Sequence, residues 1–222
     1  LGRRIDNGNH LILGGNEAAV EYLGLLGAGD ALAPLEPAAF PFAEPATGRH
    51  WTLRPSRGRL PWWLLRPARR APDSRLSDYL PMGRLVRAPL EATVAQCLDP
   101  ARPLFQRFWR PLTLAILNTE PEAASAALLG RVLSATLLKG ADASRPFLAP
   151  KGLSTALVDP ALAHLDEQGV DLAFATRLKG LETADGRVTA LRFAGGPVPV
   201  ADGDQVILAL PPHALGEVAP GL

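Results

Sequence analysis

Apolar and polar positions repeat with two different periods along this chain, and each change of period marks an element. Residues 5–13 read as strand, turn, strand: Ile5, then Asp6-Asn7-Gly8, then Leu11-Ile12-Leu13. Asn16 is placed to cap a helix, with Glu17 at its positive end and Val20, Leu23 and Leu26 on one apolar face; Gly27 and Gly29 stop it. Phe40-x-Phe42 and Trp51-x-Leu53, joined through Ala46-Thr47-Gly48, predict a hairpin. Residues 76–140 read as helical. Their clearest signal is a capping-box pattern at Thr119 and Glu122, followed at helical spacing by Leu129, Val132, Leu133, Thr136 and Leu137 and stopped by Gly140. Asp159-Pro160 predicts another helix start, with Leu162 and Leu165 facing inward and Gly169 ending it. Val170–Phe174 alternates as a strand does, and Asp185-Gly186 joins two more strands in a hairpin. The run from Asp204 to Leu210 is apolar on both faces, as a buried parallel strand is, and Pro211-Pro212 ends it.

This order predicts a mixed α/β chain in which an α/β frame is interrupted by a mostly helical insertion. Composition narrows the function classes. The chain has 222 residues and 47% are apolar, enough for a packed core. A net charge of +1 argues against a general nucleic-acid binder. The lone Cys97 excludes an intrachain disulfide framework and makes a reducing compartment the default. His10, His50, His164 and His213 are scattered without metal-ligand spacing, so no metal site is expected. No apolar run reaches the roughly 20 residues of a membrane span. The local exception to the even charge balance is Arg49–Arg75, with eight Arg, one acid (Asp73) and Trp51, Trp62 and Trp63. It reads either as a solvated loop or as a surface for anionic lipid, with Arg for phosphate and Trp at the headgroup level.

The ending, from Leu165 through "DEQGVDLAFATRLKGLETADGRVTALRF" to "DQVILALPP", resembles the amine oxidase and carotenoid desaturase superfamily of flavoproteins. The opening "DNGNH" sits like that superfamily's segment beneath the flavin ring. The middle block "FWRPLTLAILNTEPEAASAALLGRVL" narrows the match. With "LSTALVDPALAHL", it resembles the squalene-associated FAD-dependent desaturases, also called hydroxysqualene dehydroxylases, of bacterial hopanoid synthesis. The resemblance implies a partial, Rossmann-like FAD-binding domain at residues 1–30 and 146–222, the latter carrying a β-meander, interrupted at 31–145 by a mostly helical substrate domain facing the membrane. It implies FAD as cofactor, a long polyprenoid as substrate, and a cytoplasmic location with peripheral contact at the inner face of the membrane. The family's Gly-x-Gly-x-x-Gly turn and its C-terminal Gly-rich segment are absent here. The chain is therefore expected to be an internal piece that binds FAD poorly or not at all by itself. An inactive lipid-binding piece is the reading from another class.

The resemblance also assigns roles. Asp6, Asn7, Gly8 and Asn9 would lie against the flavin, where Gly8 lets backbone approach a flat ring. The local sequence alone reads equally as an Asx-type surface turn. His10 is either the general acid that protonates a departing hydroxyl or a structural histidine. The backbone at Leu178 would meet the adenine edge, and Pro211, ending a strand, would lie near the cofactor. Phe105, Phe108, Trp109 and Leu112 form an apolar stripe, read either as core or as the lining of a hydrocarbon tunnel. Asn118 and Thr119 read as helix caps. A phytoene-type desaturase and a flavin amine oxidase are the neighbouring activities; with only Tyr22 and Tyr79, an aromatic cage for an amine is poorly supplied.

Overall fold

The computed structural model describes residues 5–6, 10–58 and 60–220. The chain divides into two compact units, residues 1–165 and 166–222.

In the first unit, β1 (Ile12–Leu13) leads through Gly14-Gly15 into α1 (Glu17–Leu25). The Asn16 side chain accepts the Ala19 N–H at 3.4 Å, and Gly27 adopts φ +62° just past the helix end, as predicted. The predicted 5–13 hairpin does not form among the described residues: β1 pairs instead with β5 (Pro146–Leu148), Ile12 opposite Phe147, and Asn7–Asn9 lie outside the described residues. Two paired residues beside a turn bury little, whereas the distant partner brings Phe147 onto the core. β2 (Ala33–Pro34) pairs on the other edge of β5, completing a small sheet in the order β1-β5-β2. Behind it Ile12, Leu23, Leu32 and Ala156 form one buried cluster. Val20 does not join it; it is 50% exposed, so the buried stripe of α1 is narrower than the sequence suggests.

A larger core occupies the segment between. The predicted hairpin forms as β3 (Phe40–Glu44) and β4 (Arg49–Leu53), with Phe42 opposite Trp51 and Phe40 opposite Leu53. Short helices α2 (Met82–Val86) and α3 (Val94–Cys97) then pack beside α4 (Arg110–Leu117) and α5 (Ala126–Ala135). Gly130 of α5 lies against the Leu85 carbonyl, an approach that leaves no room for a β-carbon. The predicted cap of α5 is corrected. Its N-cap is Ser125, whose hydroxyl accepts from the Leu128 N–H, while Thr119 donates to the Leu117 carbonyl. Ser125 wins because its backbone also bridges Thr93 in the α3 cap, with Val94 N–H on the Ala124 carbonyl and Ala126 N–H on Ala92. α5 also ends earlier than predicted, at Ala135, and Gly140 instead precedes the single turn α6 (Ala141–Ser144).

α7 (Asp159–Glu167) begins at Asp159-Pro160 as predicted, but Asp159 is itself helical and does not cap it. A wide helical turn at Ser154–Val158 runs into it, and Gly169 (φ +70°) follows its end. In the second unit the Asp185-Gly186 hairpin forms with both residues at positive φ, 52° and 73°. It joins β6 (Gly180–Ala184) to β7 (Arg187–Phe193), and β8 (Gly196–Pro199) completes an antiparallel meander. α8 (Pro212–Val218) follows. Two predicted strands are absent from the described structure: Val170–Phe174 and 204–210 are irregular, and Ile207 is 85% exposed. A buried strand needs a ladder on each side, and no described strand pairs with either segment.

Candidate functional site

Asp6 joins two stretches of the first unit that are far apart in sequence. Its carboxylate accepts the Leu153 N–H at 2.6 Å, the Ser154 N–H at 3.0 Å and the Ser154 hydroxyl at 2.8 Å. These are orphan donors at the start of the helical stretch Ser154–Glu167, so Asp6 acts as an N-cap from 147 residues away and meets the helix's positive end. Gly152 makes this possible: it holds φ +95°, and a β-carbon there would stand 2.9 Å from an Asp6 carboxylate oxygen. Neither Gly152 nor the cap carries a local sequence signal, because the partners are so far apart. Tyr22 Oη adds a bond to the Leu157 carbonyl at 3.0 Å, and Lys139 pairs with Glu17 at 2.6 Å, pulling the Glu17 carboxyl below its usual range. His10 is exposed.

A flavin dinucleotide needs backbone donors for its pyrophosphate. The strand–glycine–helix turn at Gly14-Gly15-Asn16 is the nearest equivalent, and it does not fit. Gly14 N–H donates to Arg145 O (2.9 Å), Gly15 N–H to Ala143 O (2.7 Å) and Asn16 N–H to Leu13 O (2.8 Å). Both glycines are held against the carbonyls of Asp142 and Ala135, and Glu17 adds a negative charge at the mouth. In the second unit, Leu178 lies one residue beyond the meander's last bond, Lys179 N–H to Arg192 O (2.8 Å). Pro211 is exposed and is the N-cap of α8; its carbonyl accepts from Ala214 and Leu215.

The aromatic stripe is buried. Phe105, Phe108 and Trp109 are each no more than 2% exposed, and Leu112 packs half-buried against them. Phe108 touches Trp109 at 4.7 Å between ring centroids, and Phe42 and Tyr79 at 5.9 Å each. Pro111 follows directly on a wide helical turn at Phe105–Trp109 that runs into α4, an irregularity of the kind that accommodates a residue with no N–H, so the stripe runs on. Phe105 and Trp109 also reach a cavity of about 220 Å³ whose rim carries Asp78, Asp99, Arg84 and Arg102. That is smaller than the ~300–1,000 Å³ usual for pockets enclosing a drug-sized ligand.

Much of Arg49–Arg75 faces inward. Trp51 stacks on Phe42 at 5.5 Å, while Arg49 and Asp73 pair at the surface, 2.6 Å apart. Trp63 is buried edge-on to Tyr79. Burial pushes the Tyr79 phenol up, and its oxygen accepts the Ala71 N–H at 3.0 Å. Arg107 draws the hairpin and this segment together through Glu44 (3.2 Å), Asp73 (3.0 Å) and the Pro72 carbonyl (3.3 Å). Sequence reading missed Arg107, which sits inside the aromatic stripe with nothing local to distinguish it. No described helix is long and apolar enough to cross a membrane.

Comparison with known proteins agrees with the flavoprotein resemblance. The chain is 41% identical over 219 residues to hydroxysqualene dehydroxylase of Rhodopseudomonas palustris, covering 98% of this chain and 52% of that protein. It is 38% identical over 218 residues to the Sinorhizobium fredii protein of the same name (98% and 52%). Against the one from Zymomonas mobilis it is 34% identical over 222 residues (100% and 54%). The chain thus spans about half the length of these curated relatives. The family of flavin containing amine oxidoreductases matches residues 2–222, and the chain belongs to that family.

Proposed function

We propose that the whole protein is an FAD-dependent oxidoreductase that converts hydroxysqualene to squalene, acting at the inner face of a bacterial membrane. The observation that carries this is identity of 34–41% along 98–100% of this chain with three hydroxysqualene dehydroxylases, of which it spans about half. In the net reaction the hydroxyl leaves as water with one proton, and a hydride equivalent from the reduced flavin takes its place on carbon.

The described residues offer no pyrophosphate cradle, so this chain's share is proposed to be support, substrate path and proton. Asp6, Asn7, Gly8 and Asn9 would run against the flavin, with Gly8 giving the closest approach. His10, next along, would donate the proton that turns a poor leaving group into water. Leu178 backbone at the adenine edge and Pro211 near the cofactor complete the proposed contacts. Of the tunnel residues, Phe105 and Trp109 border open space and are proposed to line the polyprenoid's path, with Phe108 and Leu112 behind them. A lipid substrate makes peripheral membrane contact through Arg49–Arg75 part of the same proposal. In support of the discontinuous domain, residues 12–35 and 146–157 share a small sheet and core apart from the larger core at 53–133.

The test is anaerobic titration of the whole, FAD-loaded and chemically reduced protein with hydroxysqualene. Stoichiometric return of the oxidised flavin spectrum is expected. A reduced spectrum that persists would turn the assignment toward a desaturase, which needs the oxidised flavin.

A further inference from the structure

The inward-facing half of Arg49–Arg75 leaves a distinct outer half. The sequence Trp62-Trp63-Leu64-Leu65 forms one 3-10 turn. Its middle residues are anchors: Trp63 packs on Tyr79, Leu64 is buried, and the Leu64 carbonyl accepts from Arg70 at 2.9 Å. Its outer residues, Trp62 and Leu65, are three apart and therefore share one face of a helix with three residues per turn. They are 58% and 57% exposed, and the adjoining Leu60 is 60% exposed. The approach to this turn is tied down as well: Ser56 Oγ donates to the Leu60 carbonyl at 3.0 Å, and the Ala141 N–H donates to the Ser56 carbonyl at 2.9 Å. The apolar face is thus presented by rigid backbone.

Its surroundings are cationic without compensation. Arg54, Arg57 and Arg66 are exposed and Arg69 is half-exposed. None of the four has an ion pair among the described residues, and no acid occurs between Glu44 and Asp73. An apolar aromatic tip ringed by unpaired Arg matches the interface of an anionic bilayer, where Trp sits at headgroup depth and Arg meets phosphate. A protein partner of matching charge would also leave Trp62 and Leu65 to be covered by apolar surface, whereas a bilayer supplies both layers in one order.

We propose that Trp62, Leu65 and Leu60 form a wedge that seats in the surface of an anionic phospholipid bilayer, held there by Arg54, Arg57, Arg66 and Arg69. This rests on the reading of the protein as an enzyme of a membrane-dissolved polyprenoid, and it assigns the membrane contact to one turn. Arg49 and Arg107, already ion-paired within the chain, have no part in it.

The experiment is co-sedimentation of the whole protein with vesicles of phosphatidylcholine and phosphatidylglycerol (3:1), against vesicles of phosphatidylcholine alone. Binding to the anionic vesicles is expected, weakened by salt. W62S/L65S should weaken it at least tenfold, and each of R57Q and R66Q by roughly fivefold. W62F should keep most of the binding while removing the Trp62 share of quenching by brominated lipid. Equal binding by wild type and W62S/L65S, or binding indifferent to anionic lipid, overturns the wedge. Conversion of detergent-solubilised hydroxysqualene by the same variants separates the two ideas. Retained conversion with lost vesicle binding supports the wedge, and vesicle binding by a protein that converts nothing removes the enzymatic reading alone.

Discussion

Asp6 illustrates how a single carboxylate can join distant parts of a chain. Three donors from Leu153 and Ser154 converge on it. Charge-assisted bonds of this kind are worth about 1.5–3 kcal/mol each when lost singly, and a cap about 1 kcal/mol. Replacing Asp6 with Ala should therefore destabilise the first unit by about 2–3 kcal/mol in a denaturant melt. Gly152→Ala should do the same by a different route, through a left-handed backbone that penalises a β-carbon and the collision with Asp6. Tyr79→Phe removes the acceptor of a buried Ala71 N–H and should cost about 1–3 kcal/mol, read in the same melts. Protons act at Glu44 and Asp73. Thr47 and then Arg107 hold Glu44 below its usual value, and Arg49 and then Arg107 hold Asp73 below its own. Both carboxyls ionise at lower pH in the folded state than in the unfolded one. Their contribution is therefore complete above the unfolded carboxylate value and is lost as pH falls through the lowered folded one. Melts taken from pH 6 downward should show stability falling only below the usual carboxylate range, and R107Q should flatten that fall.

Elements with a complete local code were legible in the sequence. Asn16 before α1, the Phe42 and Trp51 alternation of β3 and β4, and the Asp185-Gly186 turn each carry cap, period and turn chemistry within a dozen residues, and all three form. The failures are elements whose decisive partner is distant. Thr119 and Glu122 match a capping box, but the start of α5 is decided by pairing with the α3 cap, so Ser125 takes the role. Ser125→Ala should cost about 0.5–2 kcal/mol and Thr119→Ala under about 0.5 kcal/mol. Reversal of that order would restore the local reading. The site was legible to a smaller degree. The residues expected along the cofactor and substrate can be named from sequence, but the Asp6 cap, the Arg107 clamp and the division of Arg49–Arg75 into inner and outer halves depend on contacts no window contains. Phe108 sits at the centre of the aromatic cluster, and Phe108→Ala should cost about 3–5 kcal/mol, as a core residue does.

At the scale of the whole molecule, the two units are unequally furnished. Residues 1–165 hold both buried clusters. Among the described residues of 166–222 the buried apolar side chains are those of Ala190 and Ala219, while Phe174, Val198 and Ile207 are exposed. Native-state hydrogen exchange on the 222-residue chain should find the amides of β6–β8 far less protected than those of α5, whose Leu129 and Leu133 are fully buried. The same chain should not retain flavin on gel filtration, because the strand–glycine–helix turn at Gly14-Gly15-Asn16 spends its donors on carbonyls. The central claim concerns the whole protein, and lipid product analysis tests it most directly. The protein is loaded with FAD, reduced without oxygen, given hydroxysqualene in detergent, and the lipids are identified by mass spectrometry. The account predicts squalene, formed only when FAD is present. Unchanged hydroxysqualene beside a bound and fully reduced flavin would contradict it.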